Sequence, residues 1–220
     1  RRTTKEKHRK AVVYKILHKV LEDKVLLLAP FAPHLCEEIW HQMGNLGFVS
    51  AEKWPTYDES KIDAPILLGE ELVKSLHEDV LNIFQATRIS PRRICIYTAS
   101  EWKWNVYLRA LELAEKDSLD MGALMKTLMA DPELRRKAIE VSAFSQKIVA
   151  ELKKSSPEIL KRRFEIGCID EFKVINEAEG FFKRELKSQI ETYKEDDEEL
   201  YDPKHRAGLA QPYRPAIYIE

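Results

Sequence analysis

The sequence predicts an α-helical bundle fragment followed by an α/β (α+β) carboxy-terminal domain with a small mixed sheet. Three observations lead there. From residue 5 to residue 28, Val12, Ile16 and Val20 recur every four positions with Val13, Leu17 and Leu21 beside them, which lines one face of a helix. The stripe is interrupted by Pro30 and Pro33 and resumes with Leu35, Ile39 and Met43. Proline cannot donate to a continuing ladder and disfavours helix just before it, so two helices meet at a corner. After Pro91, short β-branched and aromatic runs begin to alternate with helical stripes, the pattern of strands packed against helices. The expected division is a bundle over residues 1–89 and an α/β domain over 90–220.

The second helix is expected to stop near Gly44 and Gly47, since glycine readily takes the left-handed conformation that ends helices. Residues 45–63 read as loop. Within them Trp54 is expected as a core plug over the bundle, because a tryptophan buries a large apolar area, with an exposed stacking platform as the alternative. After Pro65 a third helix places Leu72, Leu76, Val80, Ile83 and Phe84 on one face and finishes the bundle near Ile89. Ile94 to Thr98 is a strand, preceded by Arg88, Arg92 and Arg93. Ser100-Glu101 then opens a helix bearing Trp102 and Trp104. Two positions apart is about 200° around a helix. These indoles either anchor the helix to the sheet or stack on unpaired bases.

Met121 to Met129 is expected as a short helix. A longer one starts at Asp131-Pro132-Glu133, with Asp as N-cap and Pro at the first helical position, and carries Leu134, Ala138, Val141, Ile148 and Leu152. Phe172 to Ile175 reads as a strand. Asn176 reads as a helix cap followed three residues later by Glu179, with Phe181, Phe182 and Leu186 turned inward. Gln189 to Tyr193 is a strand, the acidic run Glu195 to Glu199 a solvated turn, and Asp202 to Arg206 a basic turn. In a final strand, Ala216 to Glu220, Ile217 and Ile219 face a core while Tyr218 and Glu220 face outward.

The 220 residues hold 36 Lys and Arg against 37 Asp and Glu, a formal net charge of −1. That excludes a global attraction to nucleic acid and leaves only local patches. One patch is the amino-terminal cluster Arg1, Arg2, Lys5, Lys7, Arg9 and Lys10. From the first helix Lys7, His8, Lys15 and Lys19 project away from the apolar stripe, toward solvent or phosphate. Another is the stretch from Lys153 and Lys154 to Lys161, Arg162 and Arg163. The three cysteines, Cys36, Cys95 and Cys168, are widely spaced and suit free thiols in a reducing cytosol, hence a cytoplasmic location. No apolar run approaches the ~20 residues of a membrane span. The start Arg1-Arg2-Thr3-Thr4 is not a signal peptide and reads as a cut inside a longer protein.

Motifs for chemistry are missing. There is no Gly-rich phosphate loop, Gly-x-Ser-x-Gly or His-Glu-x-x-His, each of which builds a site by its spacing. His34, Cys36 and His41 lack a fourth metal ligand, and no carboxylate pair sits in an apolar frame that would raise a pKa. No catalytic residue and no metal are expected.

Leu28-Ala29-Pro30-Phe31-Ala32-Pro33-His34, Glu37-Glu38-Ile39-Trp40 and Trp54-Pro55 resemble the last helices of the anticodon-binding bundle of the class I aminoacyl-tRNA synthetases for leucine, isoleucine, valine and methionine. Glu101-Trp102-Lys103-Trp104 and the ending Arg214-Pro215-Ala216-Ile217-Tyr218-Ile219-Glu220 resemble the carboxy-terminal extension of archaeal-type leucyl-tRNA synthetases. The resemblance implies a tRNA-binding portion that orients leucine tRNA, through its body and long variable arm, for ATP-dependent leucylation on a catalytic domain elsewhere. The family's His-Ile-Gly-His and Lys-Met-Ser-Lys-Ser signatures are absent here, so ATP and Mg belong to the parent enzyme. The implied partners are leucine tRNA and the remainder of the synthetase chain, with no membrane and a monomeric state. Candidate tRNA contacts are Lys204, His205, Arg206, Tyr213, Arg214, Ile219 and Glu220, then Arg162 and Arg163, with Lys7 and Lys15 on the first helix. Arg and Lys would fix register on phosphates, while backbone amides or the Glu220 carboxylate would read unpaired bases. Two alternatives stand: the same region of a valyl, isoleucyl or methionyl enzyme, or a protein–protein interaction module using Trp102, Trp104 and the acidic run.

Overall fold

A computed structural model describes residues 7–88 and 91–220, with side chains from residue 10 onward. The chain divides into two compact units, 1–62 and 63–220. Among the described residues no helix is long and apolar enough to cross a membrane.

In the first unit, α1 (Lys7–Leu28) and α2 (Pro33–Gln42) meet at the proline corner. Pro33 sits in the first turn of α2, where a missing N–H leaves no bond unmade. Val25, Ala29, Cys36, Trp40 and Val49 form a small core, and the Glu37 carboxylate accepts the Val49 amide at 3.0 Å. Only the end of α1 is covered. Val12, Ile16, Leu17, Val20 and Leu21 remain between 44% and 57% exposed. Trp54 is not the expected plug: it is 61% exposed and borders a shallow cleft of about 240 Å³ with Leu26, Ala29, Pro30 and Val49. Trp40 already fills that interior.

The second unit opens with α3 (Ala64–Thr87), capped by Asp63, whose carboxylate accepts the Ile66 amide at 3.0 Å. There follow β1 (Arg93–Thr98), α4 (Glu101–Glu115), α5 (Met121–Leu128), α6 (Pro132–Arg136), α7 (Ala138–Leu152), α8 (Pro157–Ile166), α9 (Glu171–Leu186), β2 (Gln189–Lys194) and β3 (Ala216–Ile219). The sheet order is β2-β1-β3. β2 runs parallel to β1, from Arg93 opposite Gln189 to Thr98 opposite Lys194. β3 runs antiparallel, from Ile94 opposite Ile219 to Tyr97 opposite Ala216.

One sheet face presents Ile94, Ile96 and Ile190 to Val73, Leu76 and Val80 of α3 and to Ile175, Ala178 and Phe182 of α9. The other presents Cys95, Tyr97, Tyr193 and Tyr218 to Ala207 and Ala210. A third core joins α4, α5 and α7 through Val106, Tyr107, Leu111, Leu124, Leu128, Val141 and Ile148.

Several expectations change. Phe172 to Ile175 is the first turn of α9, and its cap is Asp170, which accepts the Lys173 amide at 3.0 Å; Asn176 caps nothing. The buried positions Glu171, Ile175, Ala178, Phe182 and Leu186 form one helical stripe, and that longer period outweighs a four-residue β-branched run. The helix begun at Asp131 stops at Arg136, and α7 starts afresh at Ala138. Residues 157–166 form a helix that was not foreseen, although Ser156 before Pro157 is a start signal and the Ser156 hydroxyl accepts the Ile159 amide. Tyr218 does not face solvent but covers the second sheet face. Trp104 is buried, and Trp102 packs edge-on against Phe144 at 5.5 Å; both are structural anchors.

Candidate nucleic-acid interface

The basic turn is built by Asp202. Its carboxylate accepts the Arg206 and Ala207 amides at 2.7 and 2.8 Å, and its carbonyl accepts the His205 amide at 3.3 Å. His205 takes the left-handed conformation at φ 52°. The loop closes on itself, and the Lys204, His205 and Arg206 side chains are left exposed.

Lys103 holds the turn from beneath. This lysine is only 4% exposed, yet its ammonium donates to the Gly208 and Ala210 carbonyls, both at 2.8 Å, and lies 2.8 Å from Glu195 Oε1. Three donors meet three acceptors, which is how a buried ammonium avoids a large desolvation penalty. Glu195 Oε2 in turn accepts the Ser100 hydroxyl at 3.0 Å. The acidic run is therefore not wholly a solvated turn. The sequence placed Lys103 in the Glu101-to-Trp104 motif but gave no sign that it is buried, because a helical lysine normally reads as exposed.

Tyr201, the residue before Asp202, joins this turn to the far strand. Its hydroxyl donates to Glu220 at 2.8 Å, and the Arg93 guanidinium stands 4.5 Å over its ring and 3.9 Å from the Glu220 carboxylate. The Glu220 carbonyl accepts the Arg92 amide at 2.7 Å and the Arg93 amide at 3.1 Å. Ile219 is half-buried against the sheet core. Glu220 thus clusters with Arg93 and Tyr201, and Tyr201 immediately precedes the aspartate that shapes the Lys204-His205-Arg206 turn.

Other candidates are drawn into the fold. The Tyr213 amide donates to Glu171 and its hydroxyl to the Gly167 carbonyl. Arg163 lies 4.8 Å over the Tyr213 ring and donates to the Tyr107 hydroxyl at 2.8 Å. Burial pushes the Tyr213 phenol well up. Arg162 pairs with Glu71 at 2.9 Å. Arg214 is exposed, as is Lys15 in the first unit. The side chain of Lys7 lies outside the described residues.

A single carboxylate, not a pair, sits in an apolar frame. Glu171 is 3% exposed, and burial pushes it up to about 7, with the amides of Tyr213 and Ala99 pulling the other way. The sequence gives no sign of this, since Glu171 stands just before a stretch that reads as a strand. Cys36 and Cys95 are buried free thiols, and Cys168 is an exposed one.

Residues 1–99 match the family described as the anticodon-binding domain of tRNA ligase. That match runs through α1, α2 and α3 and includes β1. These residues are similar to the anticodon-binding family of tRNA ligases, the class the helical corner also resembles. Along 93% of its length the chain is similar to archaeal leucine–tRNA ligases. It is 41% identical over 205 residues to that of Methanosarcina acetivorans, covering 21% of the relative. For Methanosarcina barkeri the figures are 41% over 208 residues and 21%, and for Pyrococcus abyssi 37% over 206 residues and 19%. The chain therefore spans about a fifth of the length of these relatives.

Proposed function

We propose that the chain holds and orients leucine tRNA for a leucine–tRNA ligase whose catalytic domain, with its ATP and Mg, is other polypeptide. The observation that carries this is the exposed Lys204-His205-Arg206 turn, which a buried lysine and an aspartate shape from within the fold. Three cationic or protonatable side chains on one tight loop suit adjacent phosphates of a duplex arm. The Arg93, Tyr201 and Glu220 cluster, whose Tyr201 lies three residues before Lys204, offers a guanidinium and a carboxylate to an unpaired base. Binding energy from such remote contacts is realised as correct placement of the acceptor end. The packed positions of Trp102 and Trp104 leave a protein-interaction module only the acidic run of the three features it would have used.

Deleting Ile219 and Glu220 from the full ligase should weaken aminoacylation while sparing leucine-dependent ATP–pyrophosphate exchange. Equal loss of both activities would mean that the strand only supports the fold. Because the Glu220 carbonyl bonds two amides, Glu220→Gln is the gentler companion variant. Replacing Lys204 and Arg206 by Ala should lower the slope of log binding constant against log salt by about 1 to 2. An unchanged slope would place the phosphate contacts elsewhere.

A further inference from the structure

β3 is only four residues long, Ala216 to Ile219, and lies at the edge of the sheet beside β1. Backbone ladder bonds do not distinguish one residue from the next, and a slip of two positions keeps every side chain on its own face. Such a slip would set one of Ile217 and Ile219 where the other now stands against the apolar core. The Glu220 carboxylate favours the observed register only through exposed contacts to Tyr201 and Arg93, which contribute little in water. The register is then set from outside the ladder.

Just ahead of β3 the chain makes a tight turn. Gln211 and Arg214 exchange two amide-to-carbonyl bonds, at 3.0 and 2.9 Å, with Pro212 and Tyr213 between them. Tyr213 stands at φ 64°, a conformation that turns ordinarily give to glycine or asparagine. A bulky residue is strained there and persists only where its surroundings hold it. Three helices do so. Trp104 and Tyr107 of α4 stand edge-to-face with the ring at 5.0 and 5.8 Å, and Arg163 of α8 lies 4.8 Å over it. The hydroxyl donates to the Gly167 carbonyl at the end of α8, and the amide to Glu171 Oε1 at the start of α9.

We propose that Tyr213 is a positioning residue, the pin that holds β3 in register against β1 and so fixes where Ile219 and Glu220 stand. The inference rests on the reading that those two residues hold RNA. It accounts for a tyrosine at a glycine-like position: glycine would relax the turn, but it would also release the strand from the three helices. Tyr213 acts through β3 and touches no RNA itself.

A register lock provides the test, in the full ligase with leucine tRNA. Arg93 and Glu220 exchange both backbone bonds, so Ile96 opposite Ile217 is a non-hydrogen-bonded pair. Such pairs stand ~4.5 Å apart at Cα, within reach of a disulfide. Oxidation therefore locks the native register in a background of Ile96→Cys with Ile217→Cys. In that background, reduced, Tyr213→Gly should raise the KM for tRNA about tenfold, since displaced contacts no longer place the acceptor end. Leucine-dependent ATP–pyrophosphate exchange should keep its rate. Oxidation should return the KM close to that of the background with Tyr213 in place. Should Tyr213→Gly not fold, Tyr213→Phe carries the same comparison: it loses only the hydroxyl bond, and its smaller rise in KM should also vanish on oxidation. A KM that stays raised after oxidation, or that never rises in the reduced variant, overturns the proposal. The yield of disulfide without tRNA tests the pin apart from the RNA reading: it should be lower in Tyr213→Gly, and an equal yield overturns the pin. If the yield falls while deletion of Ile219 and Glu220 leaves the KM unchanged, the pin stands and the RNA reading fails.

Discussion

Replacing Lys103 by Met is expected to lower the unfolding free energy by about 3–5 kcal/mol, the range found when one partner of a buried charge pair is removed. The methionine would fill much of the same volume in α4. The Gly208 and Ala210 carbonyls and Glu195 Oε1, each now 2.8 Å from the ammonium, would lose their donor. The loop from Glu195 to Ala210 carries the Lys204 to Arg206 turn, so RNA affinity should fall with stability. Adding Glu195→Gln should recover part of the loss, since the uncompensated carboxylate is then gone. Urea denaturation of the two variants measures both numbers. A loss below about 1 kcal/mol would show that water replaces the ammonium at no great penalty.

A second large effect should come from Glu171. Its folded-state value of about 7 lies above the ordinary 4.5 because the side chain is buried. Below about pH 4.5 the carboxyl is protonated in both folded and unfolded chains, and its contribution is fully present. As the pH rises toward 7 the unfolded chain releases this proton while the folded chain keeps it, so stability falls. Above about 7 both forms are ionised and the decline levels off. The total is about 3 kcal/mol at 1.36 kcal/mol per unit. Glu171→Gln should remove this decline and leave the variant more stable than the parent at pH 8. Unfolding curves at pH 4.5, 5.5, 6.5 and 8 test it. Asp120 and Glu112 are held below their ordinary values by the Gly122 amide and by Lys116. Their contributions are lost as the pH falls, in a lower window, so the two behaviours separate. Stability that rises between pH 5 and 7 equally in both proteins would mean that Glu171 is ionised throughout.

What could be read in advance depended on the range of the interactions involved. The proline corner, the Asp131 cap, β1, β2 and β3 all follow from residues within a few positions of one another, and all are present. The first turn of α9 misled because Val174 and Ile175 favour a strand locally, while the stripe that places them on a helix extends to Leu186. The partners of α3 were equally invisible. Its apolar face alone says that it packs, and only the fold shows Val73, Leu76 and Val80 beside Ile175 and Phe182, some hundred residues away.

The candidate site shows the same division. Residue types and spacing were enough to name the basic turn and the last strand, because charge and strand period are properties of short stretches, while the family was implied only by the resemblance of the proline-rich corner and the chain's last residues. Which of those residues stay exposed was decided by contacts between distant segments. Arg163 and Tyr213 are engaged with each other, Lys204 to Arg206 are presented by Lys103, and Glu171 is stripped of water. Burial and pairing depend on what the chain brings alongside a group, and sequence neighbours carry no record of that.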